Sequence, residues 1–162
     1  MINNAIIVGM ADLNVTKAPG ILTTLGLGSC VGIAIYDPTT KIAGLAHIML
    51  PDSTQIQNNS NIAKFADTAM VKLINDMVML GAKKLNMKAK IAGGAQMFAF
   101  DSTNSSMRIG ERNVEAVTRN LQMHKIPLIA KEVGENFGRT VELYADTGNF
   151  LIKTIGHGNR TI

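Results

Sequence analysis

The chain has 162 residues, a formal net charge of +4, and 46% hydrophobic against 17% charged residues, enough for one domain with its own core and unlike a disordered polymer. Its single cysteine excludes an internal disulfide framework and any multi-cysteine zinc or iron–sulfur site. Basic residues are dispersed apart from "AKKLNMKAK" (82–90) and aromatics are only 4%, so little is available to stack on bases and nucleic-acid binding is not expected.

No stretch approaches the roughly 18 apolar residues that span a bilayer. The start, "MINNAIIVGMADLNV", lacks a basic region followed by a long apolar one. The expectation is a cytoplasmic protein with a free thiol and no membrane insertion.

Along the chain, "VGIAIYD" (31–37) and "KIAGLAHIML" (41–50) are apolar runs separated by "DPTT" (37–40). Asp followed by Pro suits the first two positions of a type I turn, so the pair predicts a β-hairpin. A polar loop, "PDSTQIQNNS", then precedes a helix that Ser60 or Asn61 can cap. Ile62, Phe65, Ala66, Ala69, Met70, Leu73, Ile74, Met77 and Val78 recur on it at helical spacing, and Gly81 suits its C-terminal end. "KAKIAGGAQMF" (88–98) predicts a short strand running into a glycine turn, "ERNVEAVTRNLQMH" (111–124) a second helix, and "IPLIAKEVG" (126–134) a strand. "RTVELYADTGNFLIKTI" (139–155) predicts a closing hairpin turning at Asp146–Asn149. The polar, glycine-broken end, about residues 157–162, is expected to fray as a flexible tail. Strands with two interspersed helices give an α/β fold: a single domain over residues 1–162, with a mixed β-sheet, two main helices and an N-terminal catalytic hairpin.

The candidate chemistry lies on that hairpin. With Asp37–Thr40 as a four-residue loop, Tyr36 pairs with Lys41 and Cys30 falls opposite His47, where Cβ atoms are about 4.5–5.5 Å apart. A one-residue slip turns the two side chains to opposite faces, so the pairing depends on loop length. A thiol of ordinary pKa is mostly protonated at neutral pH. A neighbouring imidazole favours the thiolate and later protonates the departing group. Gly26 and Gly28, flanking toward Ser29, allow a bend in which amide hydrogens converge near the sulfur and stabilise an oxyanion. Thr24 is placed to orient His47 through its hydroxyl or main-chain carbonyl. On spacing alone a plainer account stands beside this one: a buried inert cysteine, a satisfied core histidine, and glycines that allow close packing.

"GGAQMF" lacks the Gly-Lys-Ser/Thr ending of a phosphate loop and is read as a tight turn. Met97, Phe98 and Phe100 beside it are candidates for a rim that grips an incoming helix. His124 falls near a helix end and His157 in the glycine-rich tail; neither belongs to a ligand cluster, so no metal site is expected.

At these residues the chain resembles a known family. "TTLGLGSCVGIAIYDP" (23–38) followed by "AGLAHIMLP" (43–51) is similar to CheD, the chemoreceptor glutamine deamidases, and the likeness continues through "IAGGAQMF" (91–98) to "GRTVELYADTG" (138–148). The resemblance implies a protein-glutamine glutaminase that converts selected glutamines on chemoreceptor cytoplasmic helices to glutamate and ammonia. Carried over by motif, Cys30 is the nucleophile, His47 the general acid/base and Thr24 the orienting third member. A thioester intermediate is implied, with no metal or organic cofactor; glutamyl methylesterase activity is associated with some members. The implied partners are chemoreceptors and the phosphatase CheC. An alternative is an adaptor that engages CheC and receptors, with catalysis secondary.

Overall fold

Most of the apolar runs fold as strands of two stacked sheets. The computed structural model describes residues 5–97 and 108–162. One sheet holds, in spatial order, β1 (Ala5–Ile7), β3 (Ile21–Leu27), β8 (Arg139–Tyr144), β9 (Phe150–Thr154) and β10 (Gly158–Thr161). The other holds β2 (Asp12–Lys17), β5 (Ile42–Ile48), β4 (Val31–Asp37), β6 (Lys88–Gly93) and β7 (Leu128–Val133). Both are mixed, since β1–β3 and β6–β7 run parallel while β4–β5 and β3–β8 are antiparallel. The α/β class and the two helices, α1 (Ala66–Leu80) and α2 (Ile109–Met123), are as the sequence predicts. Residues 5–27, to which no element is assigned from sequence, supply β1 and β3 to one sheet and β2 to the other.

Side-chain alternation on the central strands builds three layers. Val31, Ile33 and Ile35 of β4 pack with Met70, Leu73 and Met77 of α1 and Val117 and Leu121 of α2. Ala34, on the opposite face, joins Leu22, Leu45, Leu143, Phe150 and Ile152 between the sheets. With both faces covered, the strand reads as a continuous apolar run. Burying Met70, Leu73, Ile74 and Met77 contributes on the order of 2 kcal/mol each.

The hairpin turn differs from the expected one. Lys41 takes the left-handed conformation, with φ 56°, and joins the turn, while Asp37 pairs with Ile42. The loop is therefore residues 38–41 instead of 37–40, and Gly32, not Cys30, lies opposite His47. The Asp37 carboxylate decides this by accepting from Thr39 N at 2.9 Å, Thr40 N at 3.3 Å and, across the fold, Lys83 N at 2.8 Å. Burial alone would raise the Asp37 pKa, but the bonds from Lys83, Thr39 and Thr40 outweigh it and hold it at about 2. Tyr36 pairs with Ala43 instead of Lys41, a shift of two residues, and an even shift keeps each paired residue on its expected face.

Two further expectations are corrected. The first helix starts late: Asn61 caps a single 3₁₀ turn over Ile62–Lys64, Phe65 is extended, and α1 begins at Ala66. Main-chain pairing with the segment after β5 overrides the helical pattern, with Met49 N donating to Lys64 O at 2.8 Å and Ala66 N to Leu50 O at 2.9 Å. Ile62, ahead of α1, stands exposed, and so does Val78 near its C-terminal end. The tail does not fray as expected: residues 158–161 form β10 against β9, and the Ile162 carbonyl accepts from the buried Lys90 Nζ at 2.9 Å. A buried ammonium recruits such acceptors because it is costly to leave unpaired.

Candidate active site

Thr24 on β3 and His47 on β5 meet in the layer between the sheets. Thr24 Oγ1 lies 2.7 Å from His47 Nδ1, and both residues are fully buried. The same hydroxyl lies 2.6 Å from the Val8 carbonyl and donates to it. A hydroxyl carries one hydrogen. With that hydrogen given to Val8, Thr24 must accept from His47, which puts the ring proton on Nδ1 and leaves a lone pair on Nε2. That Nε2 is buried with no hydrogen-bond partner among the described residues. Thr23, pointing to the opposite side of the strand, donates to Val141 O at 2.8 Å.

Cys30 stands just before β4 and packs in the same inter-sheet layer, with a residual 8% exposure. Gly32, the residue opposite His47, is two residues after Cys30, and Cys30 itself lies just outside the β4–β5 ladder. Burial pushes the Cys30 thiol above its ordinary 9.0, against the pull of its own backbone N–H. Burial likewise pushes His47 below 6.5. Both shifts favour a neutral thiol and a neutral imidazole over the thiolate expected from the sequence. Neutral Nε2 is the form that can take a proton.

The loop carrying Cys30 is held from several sides. Gly26 has φ 72° at an irregularity of β3 between Thr24 and Leu27, a conformation that side chains resist. Gly93, with φ 110°, lets the backbone of β6 pass so close that a Cβ there would sit 2.3 Å from Cys30 O. Gly94 N donates to Cys30 O and Ala95 N to Gly28 O, each at 2.8 Å. Met97 covers Gly28, its Cγ 3.4 Å from where a Cβ would lie, and is 43% exposed. Phe98 and Phe100, the other rim candidates, lie outside the described residues. His124 caps the end of α2, and His157 stacks on Phe137 with centroids 4.1 Å apart; neither approaches the Thr24–His47 pair as a partner.

One residue of this region is missed by the sequence reading. Asn113 of α2 is fully buried, and its Nδ2 donates to Ser29 O and to Met49 O, both at 3.0 Å. A signal was present: Asn113 is the polar member of the buried stripe Gly110, Asn113, Ala116, Val117, Leu121.

Comparison with known proteins decides the family. A family model described as "CheD chemotactic sensory transduction" matches residues 49–154. The chain belongs to the CheD family. Two CheD relatives, from Lachnoclostridium phytofermentans and Caldanaerobacter subterraneus, are 54% and 55% identical over 155 residues, 96% of this chain and of each relative; both are named probable chemoreceptor glutamine deamidase CheD. The chemoreceptor glutamine deamidase CheD of Halalkalibacterium halodurans is 50% identical over 161 residues, 99% of both chains. These matches reach beyond the family model and span the Cys30–His47 hairpin. Among solved structures, the Bacillus licheniformis hypothetical protein YfiH matches at 16% identity with a TM-score of 0.46, covering 75% of this chain, which spans about half (49%) of that one. No helix among the described residues is long and apolar enough to cross a membrane.

Proposed function

We propose that this protein is a cytoplasmic amidohydrolase that deamidates glutamine side chains on chemoreceptor helices, with Cys30 as nucleophile, His47 as general acid/base and Thr24 as the residue that fixes the imidazole. The observation that carries this is a buried histidine whose Nδ1 is tied to Thr24 and whose Nε2 has no partner among the described residues. The kinship with proteins named chemoreceptor glutamine deamidase supplies the substrate class.

In the proposed sequence, His47 Nε2 removes the thiol proton as sulfur attacks the side-chain carboxamide carbon. The C–S bond forms, and amides of the Gly26–Cys30 loop receive the developing oxyanion. Imidazolium then protonates the departing nitrogen, the C–N bond breaks, and ammonia leaves a glutamyl thioester. Water, deprotonated by the again neutral His47, adds to the thioester; the C–S bond breaks, the imidazolium returns its proton to sulfur, and glutamate is released. Thiol and imidazole start neutral, so proton transfer accompanies attack and no buried ion pair has to be held between turnovers. The same steps open a glutamyl methyl ester with methanol leaving. Binding of the CheC phosphatase belongs to this proposal on the family resemblance alone.

The test is incubation of the protein with a receptor cytoplasmic fragment, followed by peptide mass spectrometry. Glutamines converted to glutamate with release of ammonia are expected, and Cys30→Ala should reduce conversion to background without loss of fold. A folded Cys30→Ala protein that still deamidates removes the mechanism and leaves the adaptor role as the better account.

A further inference from the structure

We infer that Asn113 is a positioning residue that locks the nucleophile-bearing loop to the base-bearing strand. This rests on the proposed roles of Cys30 and His47. The β4–β5 ladder ends at the pair Val31–Ile48. Beyond it the two chains separate: Met49 N turns to Lys64 O at 2.8 Å, and Cys30 O turns to Gly94 N at 2.8 Å. Cys30 is thus the first residue that β-pairing with β5 no longer holds. Across that opening lies the Asn113 carboxamide, its two hydrogens spent on Ser29 O, the residue before Cys30, and Met49 O, two residues after His47. One planar group thereby sets the spacing between the two arms that carry the thiol and the imidazole. Its Oδ1 is buried without a partner among the described residues. Burying that oxygen carries a desolvation cost, and what the amide gains for it is the pair of bonds to the two arms.

The test compares Asn113→Ala with Asn120→Ala. Asn120 is on the same helix but donates only to Ala116 O within it, at 2.8 Å, so it controls for a weakened α2. Deamidation kinetics and the pH profile of Cys30 alkylation by iodoacetamide are measured for both, beside His47→Ala. Asn113→Ala is expected to lower kcat by up to about 100-fold with KM little changed, as for a misplacement on the ångström scale. Its alkylation profile should move toward that of His47→Ala, while Asn120→Ala keeps the parent's kcat and profile. A folded Asn113→Ala protein with the parent's kcat and profile overturns the inference, as does an equal loss in Asn120→Ala. Should Asn113→Ala fail to fold, Asn113→Asp is read in the same way; burial keeps its carboxyl protonated, so it has the same shape and one donor hydrogen. If Cys30→Ala still deamidates, the catalytic assignment beneath the inference is what has failed. That result is separate from an Asn113 variant that leaves a Cys30-dependent activity intact.

Discussion

Thr24 works through a single hydrogen. Its hydroxyl donates to Val8 O and so can only accept from His47, which makes Nε2 the basic nitrogen. Thr24→Val keeps the volume and removes that constraint, leaving His47 Nδ1–H and Val8 O buried without partners. The expected cost is about 1–3 kcal/mol of stability and roughly 100-fold in kcat, read by urea unfolding and ammonia release; Thr24→Ser should recover most of both. The pH profile follows from burial. Because His47 is held below its ordinary 6.5, it stays neutral at neutral pH and must be protonated before the base is lost. The acid limb of kcat/KM is therefore expected below pH 6.5, and a limb above that value would contradict the burial argument. The sequence names Thr24, Cys30 and His47 as candidates, but strand phase, which decides that Thr24 and not Thr23 turns toward His47, is seen only in the fold. Thr23 and Thr24 are chemically the same and differ only in the face they occupy.

At the level of elements, the hairpin shows how a side chain sets register. Asp-Pro signals the turn, but the Asp37 carboxylate also reaches Lys83 N, 46 residues away in sequence, and this long-range bond has no local signature. The carboxyl's pKa is lowered from 3.8 to about 2, so its contribution is fully present above pH 3.8 and is lost as the pH falls through about 2. The size is about 2 kcal/mol. Asp37→Asn should remove that much from unfolding free energy at pH 7 and flatten the acid dependence between those values, measured by urea titration at several pH values. The first helix carries the same lesson. Asn61 has the signature of a cap and does cap, but only a single turn, because Phe65 and Leu50 pair through the backbone and interrupt the helix. Asn113 was open to detection as the polar residue on an apolar stripe, yet only the docked helix reveals that its amide spans two loops.

For the whole molecule, the site depends on stacking two sheets, since Thr24 and His47 come from different ones. The last strand helps close that stack. Lys90 of β6 donates to Gly148 O at 2.7 Å and to Ile162 O at 2.9 Å, tying the second sheet to the end of the first. Removing residues 158–162 deletes β10 and one of those acceptors. A loss of about 2 kcal/mol is expected, a fall in Tm of roughly 4–8 °C for a chain of this size, measured by thermal unfolding. Alkylation of Cys30 should persist, because the Thr24–His47 contact lies on β3 and β5, away from that edge.

The sequence by itself determined the α/β class, both helices and most strands from residue 31 onward, and it named Thr24, Cys30 and His47 as the candidate set. These rest on local periodicity and on a motif contained within 24 residues. Only the tertiary structure decided that the strands split into two sheets, that Gly32 opposes His47, and that Asn113 reaches both arms of the site. Register and sheet membership are set by contacts between residues distant in the chain, and a period along the sequence shows which face a residue occupies without showing what that face will meet.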